Sequence, residues 1–170
     1  QESAVEIYEN TTFAQRNQLF LNDGSGRFEE IIPIQGSALD ERQVSRGAAF
    51  GDYDDDGDID ILVANVSERP QLLRNDTVGA GHWLRLRLEG TRSNRSAIGA
   101  RVTLKAGSQQ ASAEVATGSS YLSQSDLRLH FGLGSATVVD SVSVSWPSGV
   151  VQVLTHVAVD QQHVIREVGQ

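Results

Sequence analysis

Apolar and polar residues alternate along much of this chain. Trp83-Leu84-Arg85-Leu86-Arg87-Leu88, Arg101-Val102-Thr103-Leu104-Lys105 and Ser141-Val142-Ser143-Val144-Ser145-Trp146 change character at nearly every step. A period of two places one set of side chains on one face of a strand, so each run predicts a half-buried strand. Ile59 to Ala64 reads as another. The 3.6-residue period of an amphipathic helix is scarce. Gly- and Ser-rich breaks fall between the runs, at Asp23-Gly24-Ser25-Gly26, Ala106-Gly107-Ser108, Gly118-Ser119-Ser120, Gly132-Leu133-Gly134 and Pro147-Ser148-Gly149. Such breaks suit turns that need positive φ, and many short strands at this spacing predict a sandwich or barrel.

An internal echo divides the chain. Gln18-Leu19-Phe20-Leu21-Asn22-Asp23 returns as Gln71-Leu72-Leu73-Arg74-Asn75-Asp76. That displacement is close to the length of a propeller blade. Composition changes after the second copy, and Thr77-Val78-Gly79-Ala80-Gly81 reads as a short linker. The expected organisation is an N-terminal arm over residues 1–16, a blade region over 17–78, and a second β domain over 82–168. The expected fold is all-β: partial propeller-like blades, then an antiparallel sandwich or barrel-like domain.

The 170 residues suffice for one ordinary domain or two small ones, and a hydrophobic content of 39% can fill a core. No apolar run approaches the roughly 18 residues of a membrane helix, so membrane insertion is not expected. The absence of Cys removes disulfides, thiol catalysis and zinc-thiolate sites together. A chain that opens on Gln1 and contains no Met is expected to be processed or part of something longer, which fits export.

Charge sharpens the picture locally. Asp52, Asp54, Asp55, Asp56, Asp58 and Asp60 supply six of the 22 acidic residues, and the rest of a chain of net charge -8 is close to balanced. With no generally basic surface, nucleic acid is not an expected partner. Within this segment carboxylates occupy loop positions 1, 3, 5 and 9, with Gly57 at position 6. A hard cation such as Ca2+ takes six to eight oxygens, and alternate side chains of a tight loop converge on it while Gly permits the turn. Asp52, Asp54, Asp56 and Asp60 are therefore predicted side-chain ligands, with Asp58 contributing its backbone carbonyl and Asp55 pointing outward. An EF-hand would close with Glu at position 12, where this chain has Val63. The loop is the strand-flanked version of the site. Magnesium fits less well, because it demands near-ideal octahedral geometry and gives up water reluctantly. The alternative is a solvated acidic turn, in which the crowded carboxylates would repel one another.

The segment from Arg46 to Val63 resembles an FG-GAP (VCBS-type) repeat, and Asn22-Asp23-Gly24-Ser25-Gly26-Arg27-Phe28 is similar to the hairpin that closes the preceding blade in such proteins. From His82 to Glu167 the chain resembles the ASPIC/UnbV domain, through Trp83-Leu84, Ser93-Asn94-Arg95, Ile98-Gly99-Ala100-Arg101-Val102, Phe131-Gly132-Leu133-Gly134 and Trp146-Pro147-Ser148-Gly149. The resemblance implies calcium binding, secretion and a matrix or cell-surface role. A closed propeller has about four to eight blades, and only about one and a half units precede the second domain, so unpaired strand edges are expected. Those edges would meet further blades or recruit strands from other subunits. Ala4-Val5-Glu6-Ile7-Tyr8 is a candidate donor strand.

Further candidates are weaker in chemistry. Asn10, Asn65, Asn75 and Asn94 each open an Asn-x-Ser/Thr sequon and are candidate glycosylation sites in a secreted chain. His82, His130, His156 and His163 are dispersed and read as surface or cross-strand residues, with no nucleophile elbow or phosphate loop beside them. No enzymatic activity is expected. Trp83 and Trp146 read as core residues, with sugar stacking as the alternative. Arg85, Arg87, Arg92, Arg95 and Arg101 read as a solvated sheet face, the alternatives being an acidic glycan or a neighbour's acidic loop. The expected function is an extracellular, calcium-bound structural or adhesive module that self-associates or joins adjacent blades, with a carbohydrate- or protein-binding module as the alternative.

Overall fold

The computed structural model describes residues 12–79 and 81–169. Asn10 and the donor-strand candidate Ala4–Tyr8 lie outside the described residues. Among the described residues the chain is all-β, with no helix.

The C-terminal half is built where the alternation is cleanest. Strands β8 (His82–Glu89), β9 (Arg101–Ala106), β10 (Gln109–Glu114), β11 (Leu129–Gly134), β12 (Val138–Ser145), β13 (Val151–Ala158) and β14 (Gln161–Arg166) form two sheets, ordered β10-β9-β12-β13 and β11-β8-β14. Their inner faces meet in one apolar cluster that includes Leu84, Leu86 and Leu88 of β8, Val102 and Leu104 of β9, Val142 and Val144 of β12, Phe131, Trp146 and Ile165. Neither sheet closes into a barrel. One pairing departs from an all-antiparallel domain: β14 runs parallel to β8, with Gln161 opposite Leu84 and Arg166 opposite Glu89. Trp146 lies in this core, as read from its strand.

The turn signals mostly hold. Gly107 at φ 58° carries the β9–β10 hairpin, and Gly149 donates its amide to Trp146 O at 2.9 Å between β12 and β13. Gly132-Leu133-Gly134 differs from its expectation as a turn: it is the end of β11, bulged against β8, with Leu133 buried. Two small residues there let the strand bend while one apolar side chain still faces the core.

The N-terminal half is thinner. Strands β1 (Gln15–Arg16) and β4 (Arg42–Gln43) pair, as do β2 (Phe20–Asn22) and β3 (Phe28–Glu30), whose hairpin tip is held by Asp23 and the positive-φ Gly24 and Gly26. A three-stranded sheet joins β5 (Ser45–Gly51), β6 (Asp60–Asn65) and β7 (Gln71–Leu73). The acidic loop links β5 to β6. The outer edge of β5 is not open as expected, because Asp126 donates its amide to Phe50 O at 2.9 Å and Ser125 Oγ accepts from Phe50 N at 3.2 Å. Gly47 permits this approach, since a Cβ there would sit 2.7 Å from Tyr121 O. Among the described residues β7 pairs only with β6.

Candidate metal centre

The antiparallel pair β5–β6 fixes the two ends of the acidic loop, setting Gly51 opposite Asp60. Between them the chain turns tightly, with Asp55 at φ 62° and Gly57 at φ 99°. Gly57 donates its amide to Asp52 Oδ2 at 3.0 Å, across the loop. A Cβ at Gly57 would overlap the Trp83 indole, so a residue without a side chain is needed for packing as well as for conformation.

Carboxylate oxygens of Asp52, Asp54 and Asp60 lie within 4.8 Å of one another, and those of Asp54, Asp56 and Asp76 form a second such group. Asp54 belongs to both, so Asp52, Asp54 and Asp60 share one group while Asp56 meets Asp54 in the other. Asp58 joins neither group, and its backbone amide donates to Asp56 Oδ1 at 2.9 Å. Asp76 was not singled out, although it closes the echoed segment that begins at Gln71. Its place beside Asp54 is also marked by Arg74, which pairs with Asp76 Oδ1 at 2.6 Å and Asp54 Oδ2 at 3.6 Å.

Asp60 is buried and fully engaged, accepting from Tyr53 N at 2.8 Å and Asn75 N at 2.9 Å. It ties the loop to the start of the segment after β7. Asp52 is buried too, but only its Oδ2 has partners; Oδ1 is shut from solvent and accepts no hydrogen bond. A buried carboxylate oxygen with no donor is costly unless a cation neutralises it. Desolvation, reinforced by the charges of Asp56 and Asp60, pushes the Asp54 carboxyl above its ordinary range. Crowded acids and an orphaned buried oxygen fit a hard divalent cation. Asp52, Asp54, Asp56 and Asp60 would hold it, and it would supply the positive charge that the loop lacks.

The largest departure from sequence expectation is Arg85. Leu84, Leu86 and Leu88 face the core, which leaves Trp83, Arg85 and Arg87 on the outer face of β8. Arg87 is exposed as expected, but Arg85 is only 5% exposed because the acidic loop covers it. Its guanidinium donates to Asp52 Oδ2 at 2.5 Å and Asp55 Oδ1 at 2.6 Å, and lies 5.4 Å from the Trp83 ring centroid. Asp55, read as pointing outward, is exposed yet serves as the second arm of this clasp. Arg128 adds contacts to Asp55 Oδ1 at 3.5 Å and Asp52 O at 3.3 Å, and is itself pinned to Asp126. Removing one member of a buried ion pair typically costs about 3–5 kcal/mol, since it strands the other charge. Trp83 stacks on His130 with centroids 5.8 Å apart, and burial holds His130 below its ordinary pKa, so it packs there neutral.

The sequon asparagines within the described residues are all engaged. Asn65 Nδ2 donates to Arg69 O at 2.9 Å and to Gln43, Asn94 Nδ2 donates to Ile98 O at 2.8 Å, and Asn75 Oδ1 accepts from Thr77 Oγ1 at 2.6 Å. No helix is long and apolar enough to cross a membrane among the described residues.

Comparison with known proteins places these two halves. Residues 6–63 match the FG-GAP-like repeat, and residues 90–170 match ASPIC and UnbV. The chain is 32% identical to mouse cartilage acidic protein 1 over 130 residues, covering 74% of this chain and 20% of that protein. The human protein of the same name gives 32% over 130 residues, 74% of this chain and 19% of its own length, and the Xenopus tropicalis one 32% over 125 residues, 71% and 19%. The chain thus spans about a fifth of the length of the curated relatives it matches. With its acidic loop between two strands of the first unit and its Ser93, Trp146 and Ser148 motifs in the second, the chain joins a region that matches an FG-GAP-like repeat to one that matches ASPIC and UnbV, the pair of regions along which it is similar to cartilage acidic protein 1.

Proposed function

We propose that this chain is a non-enzymatic, extracellular structural module of matrix type, in which one Ca2+ held by Asp52, Asp54, Asp56 and Asp60 rigidifies the blade. The observation that carries the reading is the buried, unpartnered Oδ1 of Asp52 inside a cluster of acids. An extracellular setting agrees with the cartilage acidic protein relatives and with a site of this kind, since extracellular calcium modules bind at about 10⁻⁴–10⁻³ M. Exposed apolar side chains on the blade, among them Leu62, Leu72, Ile32 and Ile34, support assembly with further blades or other subunits. Titration calorimetry tests the reading. Calcium should bind in that range, magnesium more weakly, and Asp52→Asn or Asp60→Asn should lower calcium affinity at least tenfold. A folded wild-type chain that takes up no calcium at 10 mM would refute it.

A second reading, a module for an extracellular glycan or protein, is favoured by an open polar cleft lined by Arg87, Arg95, Gln124, Ser125, Arg128 and Gln162. Binding on a glycan array that is lost in Arg87→Ala/Arg95→Ala would shift the assignment to it.

A further inference from the structure

Asp52 divides its two oxygens between different tasks. Oδ2 receives the Arg85 guanidinium from β8 and the Gly57 amide from its own loop, whereas Oδ1 is buried and receives nothing from the protein. Arg85 is an unusual partner because it comes from the other half of the molecule, 33 residues away, and its side chain is nearly as enclosed as that of Asp52. Its second arm holds Asp55 Oδ1, so one planar guanidinium grips the loop on both sides of Asp54. On Asp52 itself the guanidinium places a single charge-assisted bond, and with the Gly57 amide on the same oxygen it holds Oδ2 from two sides. Holding Oδ2 settles the direction in which Oδ1 is presented. The loop surface is also packed against Trp83 through Gly57, which leaves Asp52 little freedom while the two halves are docked.

We propose that Arg85 is a positioning residue for the cation, and that it makes occupancy of the loop and docking of the loop on the C-terminal β domain one linked equilibrium. This rests on the calcium reading above. Docking pre-orients Asp52 and removes it from water, which favours the cation. The cation in turn stabilises the docked arrangement. Such coupling is reciprocal, and couplings of this kind amount to about 5- to 150-fold in affinity. The consequence is that calcium stabilises a domain that contains none of its ligands.

Hydrogen exchange on the whole chain, with and without calcium, separates the two effects by position. Amides at 52–60 report binding, and those of β9 and β12, in the C-terminal core, open only when that domain unfolds. In the wild type, calcium should slow exchange in the loop and should also slow the core strands at least fivefold. In Arg85→Ala the loop should still respond while the core strands do not. Arg85→Lys, which keeps the charge but loses the fork, should restore little of the coupling. Should Arg85→Ala fail to fold, Asp55→Asn removes one arm at a solvent-exposed side chain and should reduce the core response while calorimetric binding persists. Core strands that ignore calcium in a wild type shown by calorimetry to bind it would overturn the coupling alone. An equally strong core response in Arg85→Ala or Asp55→Asn would overturn it too. A wild type that binds no calcium would overturn the underlying reading along with it.

Discussion

Glu167 is a buried carboxylate with five donors around it. Thr91, Arg92 and Ser93 point their amides at Oε2 at 2.7–2.8 Å, while the hydroxyls of Ser93 and Ser148 meet Oε1 at 2.9 and 2.5 Å. Burial alone would raise its pKa, but the Ser148 hydroxyl and the three amides outweigh it and hold the carboxyl far below its ordinary value of 4.5. A depressed folded pKa means stability that is present in full above the unfolded value and is lost as pH falls toward the folded one. The chain should therefore lose stability steadily as pH drops from about 5 toward 2. Glu167→Gln, whose amide group would face the N–H donors, should be less stable at pH 7 and should show a flatter decline over that window. Urea midpoints for both proteins between pH 7 and pH 3 check this, and parallel curves would refute it. Ser93 stood out in the sequence only through family resemblance, and Ser148 through that and a turn signal. Their common task was not legible there, because it needs residues 91–93, 148 and 167 to be neighbours.

At the scale of the element, alternation proved a good guide wherever a strand has one wet face and one dry one. β8, β9, β12 and β6 follow the runs at 83–88, 101–105, 141–146 and 59–64. It misled where the wet face is covered by another part of the chain. Arg85 has the periodicity of a solvated residue, and only the acidic loop docking over it turns it into a buried one. The loop itself was legible because its carboxylates are local in sequence, whereas Asp76 and Arg85 reach it from other elements. The sheet β5-β6-β7 carries the converse pattern. Ala49, Leu62 and Leu72 are aligned across its three strands on one face, with Leu62 48% and Leu72 45% exposed. A sheet face of this kind is expected to be covered in assembly. Replacing both leucines by Ser should cost the isolated chain no more than about 1.5 kcal/mol per residue, because each is only half-buried. Sedimentation should show the wild type associating more strongly than Leu62→Ser/Leu72→Ser at equal concentration. Identical sedimentation of the two, with association intact, would remove this face from any assembly.

For the whole molecule, the location of the apolar core decides which half can stand alone. Among the described residues, every buried apolar side chain except Val63 belongs to the cluster between Leu84 and Ile165. The blade region has short strands, many exposed apolar residues and a loop whose charges need a partner, so it lacks the burial that offsets the entropy of ordering a chain. What holds it is external to it: the Arg85 clasp, the Trp83 surface against Gly57, and the bonds from Ser125 and Asp126 to Phe50. The C-terminal sandwich has its two sheets and its core within itself, so removing the blade takes away only the cover over one outer face and the stability that docking adds. A fragment of residues 81–169 should accordingly fold and unfold in urea in a single cooperative transition, while residues 12–79 should give a disordered circular dichroism spectrum even in 10 mM calcium. Mixing the two fragments in calcium should restore β signal to the first, and Arg85→Ala in the larger fragment should prevent that. Residues 12–79 folding alone in calcium would show that the cation, without the C-terminal surface, is sufficient to order the blade.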